Sequence, residues 1–199
     1  MPPTIRLALS ATRCRLVVPG DHTRGRTVRT MNIVLIGYRG SGKSSIGNLL
    51  AARLGMAFVD TDERIVQRAG KSIGAIFADV GENGFRDLES AVVQQLAATG
   101  NTVIATGGGV VLRPENMSWL KEHGKVVWLK APAEVLWQRI AADPGSSHAR
   151  PNLTAVGGLE EIRRLLEVRN PLYAAAADIT LDVSVLNASQ AAYYLSEMV

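Results

Sequence analysis

The sequence predicts an α/β fold, with three α/β/α layers built around a five-stranded parallel sheet. Three observations carry this expectation. From Met31 onward, short apolar runs alternate with longer stretches of helical spacing. The apolar runs are nearly continuous, as in strands buried on both faces, and lack the strict alternation of a half-exposed sheet. The first of them leads directly into Gly37-Tyr38-Arg39-Gly40-Ser41-Gly42-Lys43-Ser44, which fits G-x-x-x-x-G-K-[ST] between a strand and a helix. Alternating β and α elements imply a parallel sheet with helices on both faces, and ligands beyond the carboxyl ends of the strands.

Taken in order, strands are expected at 32–36, 57–59, 102–105, 125–129 and 179–181. Helices are expected near 43–54, 62–69, 72–80, 83–98, 114–123, 132–141, 158–168 and 187–198. The opening run Asn32-Ile33-Val34-Leu35-Ile36 reads as a buried strand. Ile46, Leu49, Leu50 and Leu54 fall at helical spacing behind the glycine-rich loop. The helix that begins near 158 is expected to stop before Pro171, because a proline disfavours helix in the residue ahead of it.

The loop 37–44 is a phosphate-binding loop in the context that the motif requires, so the fold class narrows to the P-loop nucleoside triphosphate hydrolase fold. Glycines let the backbone wrap closely, and successive N–H groups point at phosphate oxygens beside the positive end of a helix. Gly40, Ser41, Gly42, Lys43, Ser44 and Ser45 are the candidate nucleotide contacts. Lys43 would reach the β- and γ-phosphates of ATP, and the Ser44 hydroxyl would ligate Mg²⁺. The alternative is a glycine-rich turn, which has no need of the lysine and serine.

At 199 residues, 47% hydrophobic and 20% charged, the chain has the make-up of a single globular domain with a substantial core. No apolar run approaches a membrane span. Cys14 is the only cysteine, so no disulfide can form within the chain, which suits a reducing compartment and a cytoplasmic location. The net charge of +4 is unevenly distributed. Residues 1–30 hold six of the 22 basic residues and one of the 18 acids, which leaves 16 basic and 17 acidic residues from Met31 onward. The domain is therefore near neutral at −1, which disfavours a nucleic-acid partner. Residues 1–30 form a basic extension, expected to be disordered. Start-site choice at Met31, an organelle transit peptide and a basic binding arm are competing readings, so organelle import stays open.

Several polar clusters fall after strands or in the helical insertions. Asp60 and Asp62 follow the second strand, where one carboxylate could hold Mg²⁺ through water and the other a substrate hydroxyl; helix capping is the competing reading. Arg86, beside Phe85, could fork onto a substrate carboxylate or simply be solvated. Gly107-Gly108-Gly109 leaves room for backbone alone, so something packs or binds there. Residues 142–158 are polar and glycine-containing, as an active-site lid would be, and Arg150 on it could neutralise charge on a transferring phosphate. His148 is expected on the lid surface and His123 in solvent. Arg163, Arg164 and Arg169 crowd one helix, and one of them is expected to point into the site; spacing does not choose which.

In order and spacing, these pieces resemble the shikimate kinase family, within the P-loop group shared with nucleoside monophosphate kinases. The resemblance rests on Gly37–Ser44, Phe58-Val59-Asp60-Thr61-Asp62, Gly84-Phe85-Arg86, Thr106-Gly107-Gly108-Gly109, Arg150-Pro151 and Arg169-Asn170-Pro171-Leu172-Tyr173. It implies transfer of the ATP γ-phosphate to the 3-hydroxyl of shikimate, with one Mg²⁺, in the chorismate pathway, by a monomer that acts on small molecules alone. By the family pattern, Asp62 bonds shikimate hydroxyls, Arg86 and Arg169 hold its carboxylate, and the backbone at Gly108 contacts the ring hydroxyls. Glu89 supports Arg86, Arg150 reaches ATP, and Asp60 lies near Mg²⁺ and aids proton removal. Two departures concern the lid, where Asn152 follows Arg150-Pro151, and the adenine side, where Leu186 stands about where some members carry arginine. Other readings are a kinase of another small acid, such as gluconate, and a non-catalytic relative. The second is disfavoured because Lys43, Asp60, Asp62, Arg86, Arg150 and Arg169 are all present.

Overall fold

The computed structural model of the chain describes residues 31–143 and 158–199. The extension 1–30, and the segment that carries His148 and Arg150, lie outside the described residues. The described elements are β1 (Asn32–Ile36), α1 (Lys43–Leu54), β2 (Ala57–Asp60), α2 (Thr61–Ala69), α3 (Ile73–Ala97), β3 (Thr102–Ala105), α4 (Pro114–His123), β4 (Gly124–Lys130), α5 (Ala133–Ala141), α6 (Gly158–Ala176), β5 (Ile179–Asp182) and α7 (Ala188–Met198). A 3-10 turn at Val110–Leu112 follows β3.

All five strands pair in parallel, in the order β2-β3-β1-β4-β5. Side chains alternate across a strand with period two, so β1 at the centre feeds two cores. Val34 and Ile36 join Ile104, Val126 and Trp128 on one face. Ile33 and Leu35 join Val103, Val127 and Leu129 on the other. Both faces are covered, which is why these strands read as unbroken apolar runs.

Two connections bring the functional loops together. Gly42 caps α1 in the left-handed region, with φ 89°, where a side chain would be strained. At the end of β3, the Thr106 N–H and hydroxyl both donate to Leu35 O, at 3.1 and 3.0 Å. That pair of bonds fastens the triple-glycine loop to the start of the phosphate loop.

The two helices expected at 72–80 and 83–98 are the two arms of α3, which bends at Gly81 (φ 67°). The expected stop before Pro171 is not observed: α6 runs through Pro171 to Ala176. An interior proline costs about 3 kcal/mol. Beyond it, however, Tyr173 is fully buried, packs against Trp128 with ring centroids 5.7 Å apart, and hydrogen-bonds Gly108. Burial of one aromatic side chain contributes about 1.5–3 kcal/mol, and a ring pair about 0.5–1.5 more, so packing offsets the proline.

Candidate active site

A cavity of about 290 Å³ opens at the carboxyl ends of the strands. Gly40, Gly42, Lys43, Ser44 and Ser45 of the phosphate loop line one side. Asp60, Asp62 and Gly108 line the other. Three separate stretches of sequence thus converge as the topology requires. Ser41 lies beneath the loop instead, fully buried, with its N–H donating to Tyr38 O at 3.2 Å. It braces the loop from inside.

On the phosphate side, Lys43 Nζ donates to Gly37 O at 2.9 Å and to Tyr38 O at 2.8 Å, which holds the ammonium over its own loop. Ser44 Oγ donates to Asp60 Oδ2 at 2.6 Å, while Asp60 Oδ1 accepts from the Asp62 N–H at 2.9 Å. The capping reading of Asp60 therefore holds, with its second oxygen turned to the phosphate loop. One oxygen caps α2, and the other meets the phosphate-loop hydroxyl. Ser44 and Asp60 form a pair of hard oxygen donors suited to Mg²⁺, which keeps several waters and takes few protein ligands. Among the described residues no group of three or more His, Cys, Asp or Glu side chains could hold a metal, so the fit is to a phosphate-borne cation and not to a closed protein cage.

Two buried arginines flank the glycine loop, behind the residues that line the cavity. Arg86, on the second arm of α3, is 7% exposed, and its Nη1 donates to Glu89 Oε2 at 2.7 Å. Glu82, far more exposed, sits 3.3 Å from Nη2. Glu89 itself is 1% exposed; burial raises its carboxyl above the ordinary range, and the Arg86 charge works against that rise. Gly109 packs directly against the Arg86 guanidinium, where any side chain would collide with it. The glycine at this position is therefore required by the arginine it adjoins. Arg86 Nε is buried and has no hydrogen-bond partner among the described residues.

The question left open on α6 is answered by the face each arginine takes. Arg163 pairs with Glu134 at 2.9 Å and Arg164 with Glu160 at 3.4 Å, both on the surface. Arg169 is 6% exposed, lies over the Tyr38 ring, and makes no ion pair among the described residues. Carboxylate influence on it comes from Glu89, which also serves Arg86, so a buried guanidinium placed here suits an anionic ligand. Its partner from the glycine loop is Gly108 O, at 3.5 Å.

Comparison with known proteins decides the family. The family model for shikimate kinase matches residues 39–199. The chain belongs to the shikimate kinase family. A shikimate kinase of Symbiobacterium thermophilum is 48% identical over 151 residues, covering 76% of this chain and 86% of the relative. One from Trichormus variabilis is 47% identical over 146 residues, covering 73% and 78%. Among solved structures, shikimate kinase from Acinetobacter baumannii in complex with shikimate superposes with a TM-score of 0.79 at 36% identity, covering 84% of this chain and 92% of that one.

Two contributions of the shikimate kinase fold here were not assigned from sequence. Tyr173 was quoted within a motif without a role, yet its hydroxyl donates to Gly108 O at 2.5 Å. Arg39 lines the cavity beside Lys43, its charge faced by Asp143 and Glu161 from either side of the segment 144–157. Burial lowers its pKa and those carboxylates oppose the fall. The signal for Tyr173 was its spacing of four from Arg169, readable only once the helix is known to continue past Pro171.

Proposed function

We propose that the chain transfers the γ-phosphate of ATP to the 3-hydroxyl of shikimate, giving shikimate 3-phosphate and ADP. The observation that carries this reading is the pair of buried arginines, Arg86 against Gly109 and Arg169 at Gly108 O, on a glycine loop that adjoins the phosphate loop. Shikimate is a small carboxylate with three hydroxyls. Two guanidiniums suit its carboxylate, while Asp62 and the backbone N–H of Gly108, both at the cavity wall, suit its hydroxyls.

In the proposed reaction the 3-hydroxyl oxygen forms a bond to the γ-phosphorus, the bond from that phosphorus to the bridging oxygen breaks, and the electron pair leaves on ADP. Asp60 takes the hydroxyl proton, and Asp62 orients the ring. Such transfer needs little covalent help, so positioning and charge neutralisation dominate. Lys43 draws charge from the β- and γ-phosphates, and Arg150 approaches ATP from the segment 142–158. Ser44, with Asp60 behind it, would hold Mg²⁺, whose charge offsets that of the phosphates when bound. The protein is taken to act as a cytoplasmic monomer on small molecules, with residues 31–199 as the working domain. Among the described residues, no helix is long and apolar enough to cross a membrane.

The test is coupled ADP release from ATP by the purified chain. Shikimate should stimulate release, and Arg86→Ala should abolish the stimulation. A response to gluconate or a nucleoside monophosphate, with none to shikimate, would overturn the reading.

A further inference from the structure

The glycine loop and α6 meet at one atom that the proposed chemistry does not use. Gly108 O, in a loop with no exposed residue between Thr106 and Gly109, is approached by two donors on one face of α6. The Tyr173 hydroxyl donates to it at 2.5 Å, a short and strong contact. Arg169 Nη1, one turn earlier, lies 3.5 Å away, at the limit of hydrogen bonding. Both side chains are buried, and the Tyr173 ring is locked against Trp128.

The two donors do different work. A buried carbonyl must be satisfied, and leaving one unmet is more costly than the bond itself is stabilising. The oxygen has two lone pairs and both donors reach it, but the closer one carries most of the bonding. Because Tyr173 meets it at the shorter distance, the Arg169 guanidinium is held there only at the limit of bonding through Nη1 and keeps its remaining N–H groups for something else. We infer that Tyr173 is a positioning residue for the acceptor pocket, its hydroxyl occupying Gly108 O so that Arg169 stays available to an acceptor carboxylate. The inference rests on the reading of Arg169 as a carboxylate ligand.

Without the hydroxyl, Arg169 becomes the nearest donor to a buried, unsatisfied carbonyl and is drawn onto it, away from the acceptor. The phosphate side is untouched, since Lys43, Ser44 and Asp60 share no bond with Gly108 O. Burial also pushes the Tyr173 phenol far above neutral pH, so the donor is retained across the working range.

The experiment is steady-state kinetics of the full chain with shikimate and ATP varied separately, alongside thermal unfolding, for Tyr173→Phe, Arg169→Ala, the double variant and Trp128→Phe. Tyr173→Phe keeps the ring and its packing. It should raise the KM for shikimate about tenfold, the size expected of one unsatisfied buried carbonyl, and leave the KM for ATP within about twofold. In the Arg169→Ala background the same change should add less than about twofold, because the effect runs through the arginine. Trp128→Phe loosens the packing and keeps the hydroxyl, so it should lower Tm and leave the KM for shikimate in place. Equal changes in both KM values, no change in either, a full effect in the Arg169→Ala background, or a raised KM for shikimate in Trp128→Phe would each overturn the inference. Wild-type turnover of shikimate tests the underlying reading separately.

Discussion

Replacement of Glu89 by glutamine probes the acceptor side most sharply. Glu89 is 1% exposed and gives Oε2 to Arg86 at 2.7 Å; its Oε1 has no hydrogen-bond partner among the described residues. The other carboxylate at Arg86 belongs to Glu82, whose side chain is 58% exposed and 3.3 Å away, so solvent screens most of its contribution. Removal of one partner from a buried ion pair costs about 3–5 kcal/mol, because the remaining charge is left uncompensated. Glutamine keeps the volume and a neutral acceptor, which places Glu89→Gln near 3 kcal/mol and Glu89→Ala near 5. For a domain of this size each kcal/mol moves Tm by about 2–4 °C, so the glutamine variant should melt about 6–12 °C lower at pH 7.

The pH dependence has a definite sign. The folded carboxyl titrates above its unfolded value, so between the two the native state holds more protons than the unfolded one. Through Glu89, stability is therefore greatest below the unfolded value and declines as pH rises through the folded one. Glu89→Gln removes that decline, and the Tm gap between variant and wild type should narrow across this window as pH rises. Thermal unfolding of both proteins over a pH series measures it, with the KM for shikimate as a second readout that should rise as Arg86 loses its support. A glutamine variant within about 2 °C of wild type, with an unchanged KM for shikimate, would refute the claim that Glu89 holds Arg86 in place.

Other variants separate the roles of neighbouring positions. Gly109→Ala sets a methyl group against the Arg86 guanidinium, so it should destabilise by about 1–3 kcal/mol and weaken shikimate binding, read by calorimetry. At Gly108 the nearest atoms to an added methyl group are 3.4 Å or further, so Gly108→Ala should leave Tm close to wild type in the same scan. Lys43→Met should lower kcat by about 10²–10³, the usual loss for one electrostatic group in a transfer site, with Tm preserved.

Much of this site was legible because it is local in sequence. The phosphate loop is a contiguous motif, and the strands on either side announce themselves as apolar runs because the sheet is covered on both faces. Asp60 was harder, since a carboxylate after a strand serves equally as a helix cap and as a site residue. One oxygen caps the helix, and the other accepts from Ser44 of the phosphate loop. Spacing alone did not choose among Arg163, Arg164 and Arg169, although the family pattern named Arg169, because the choice depends on which face of α6 meets the glycine loop. Surface carboxylates neutralise the first two, and only the third is buried. Tyr173 was hidden by Pro171. A rule that ends helices at proline conceals a helix whose far side carries enough buried surface to continue. The Arg86–Glu89 pair was expected from the family pattern, whereas its burial, the source of its energetic weight, is a product of tertiary packing.

The central claim is that the groups around the phosphate loop select shikimate as acceptor. Coupled ADP release by the purified chain, with ATP and Mg²⁺ fixed and shikimate, gluconate or a nucleoside monophosphate supplied in turn, tests it most directly. The account predicts saturable release with shikimate alone, abolished by Arg86→Ala. Release that is indifferent to shikimate and driven by another acceptor would contradict it.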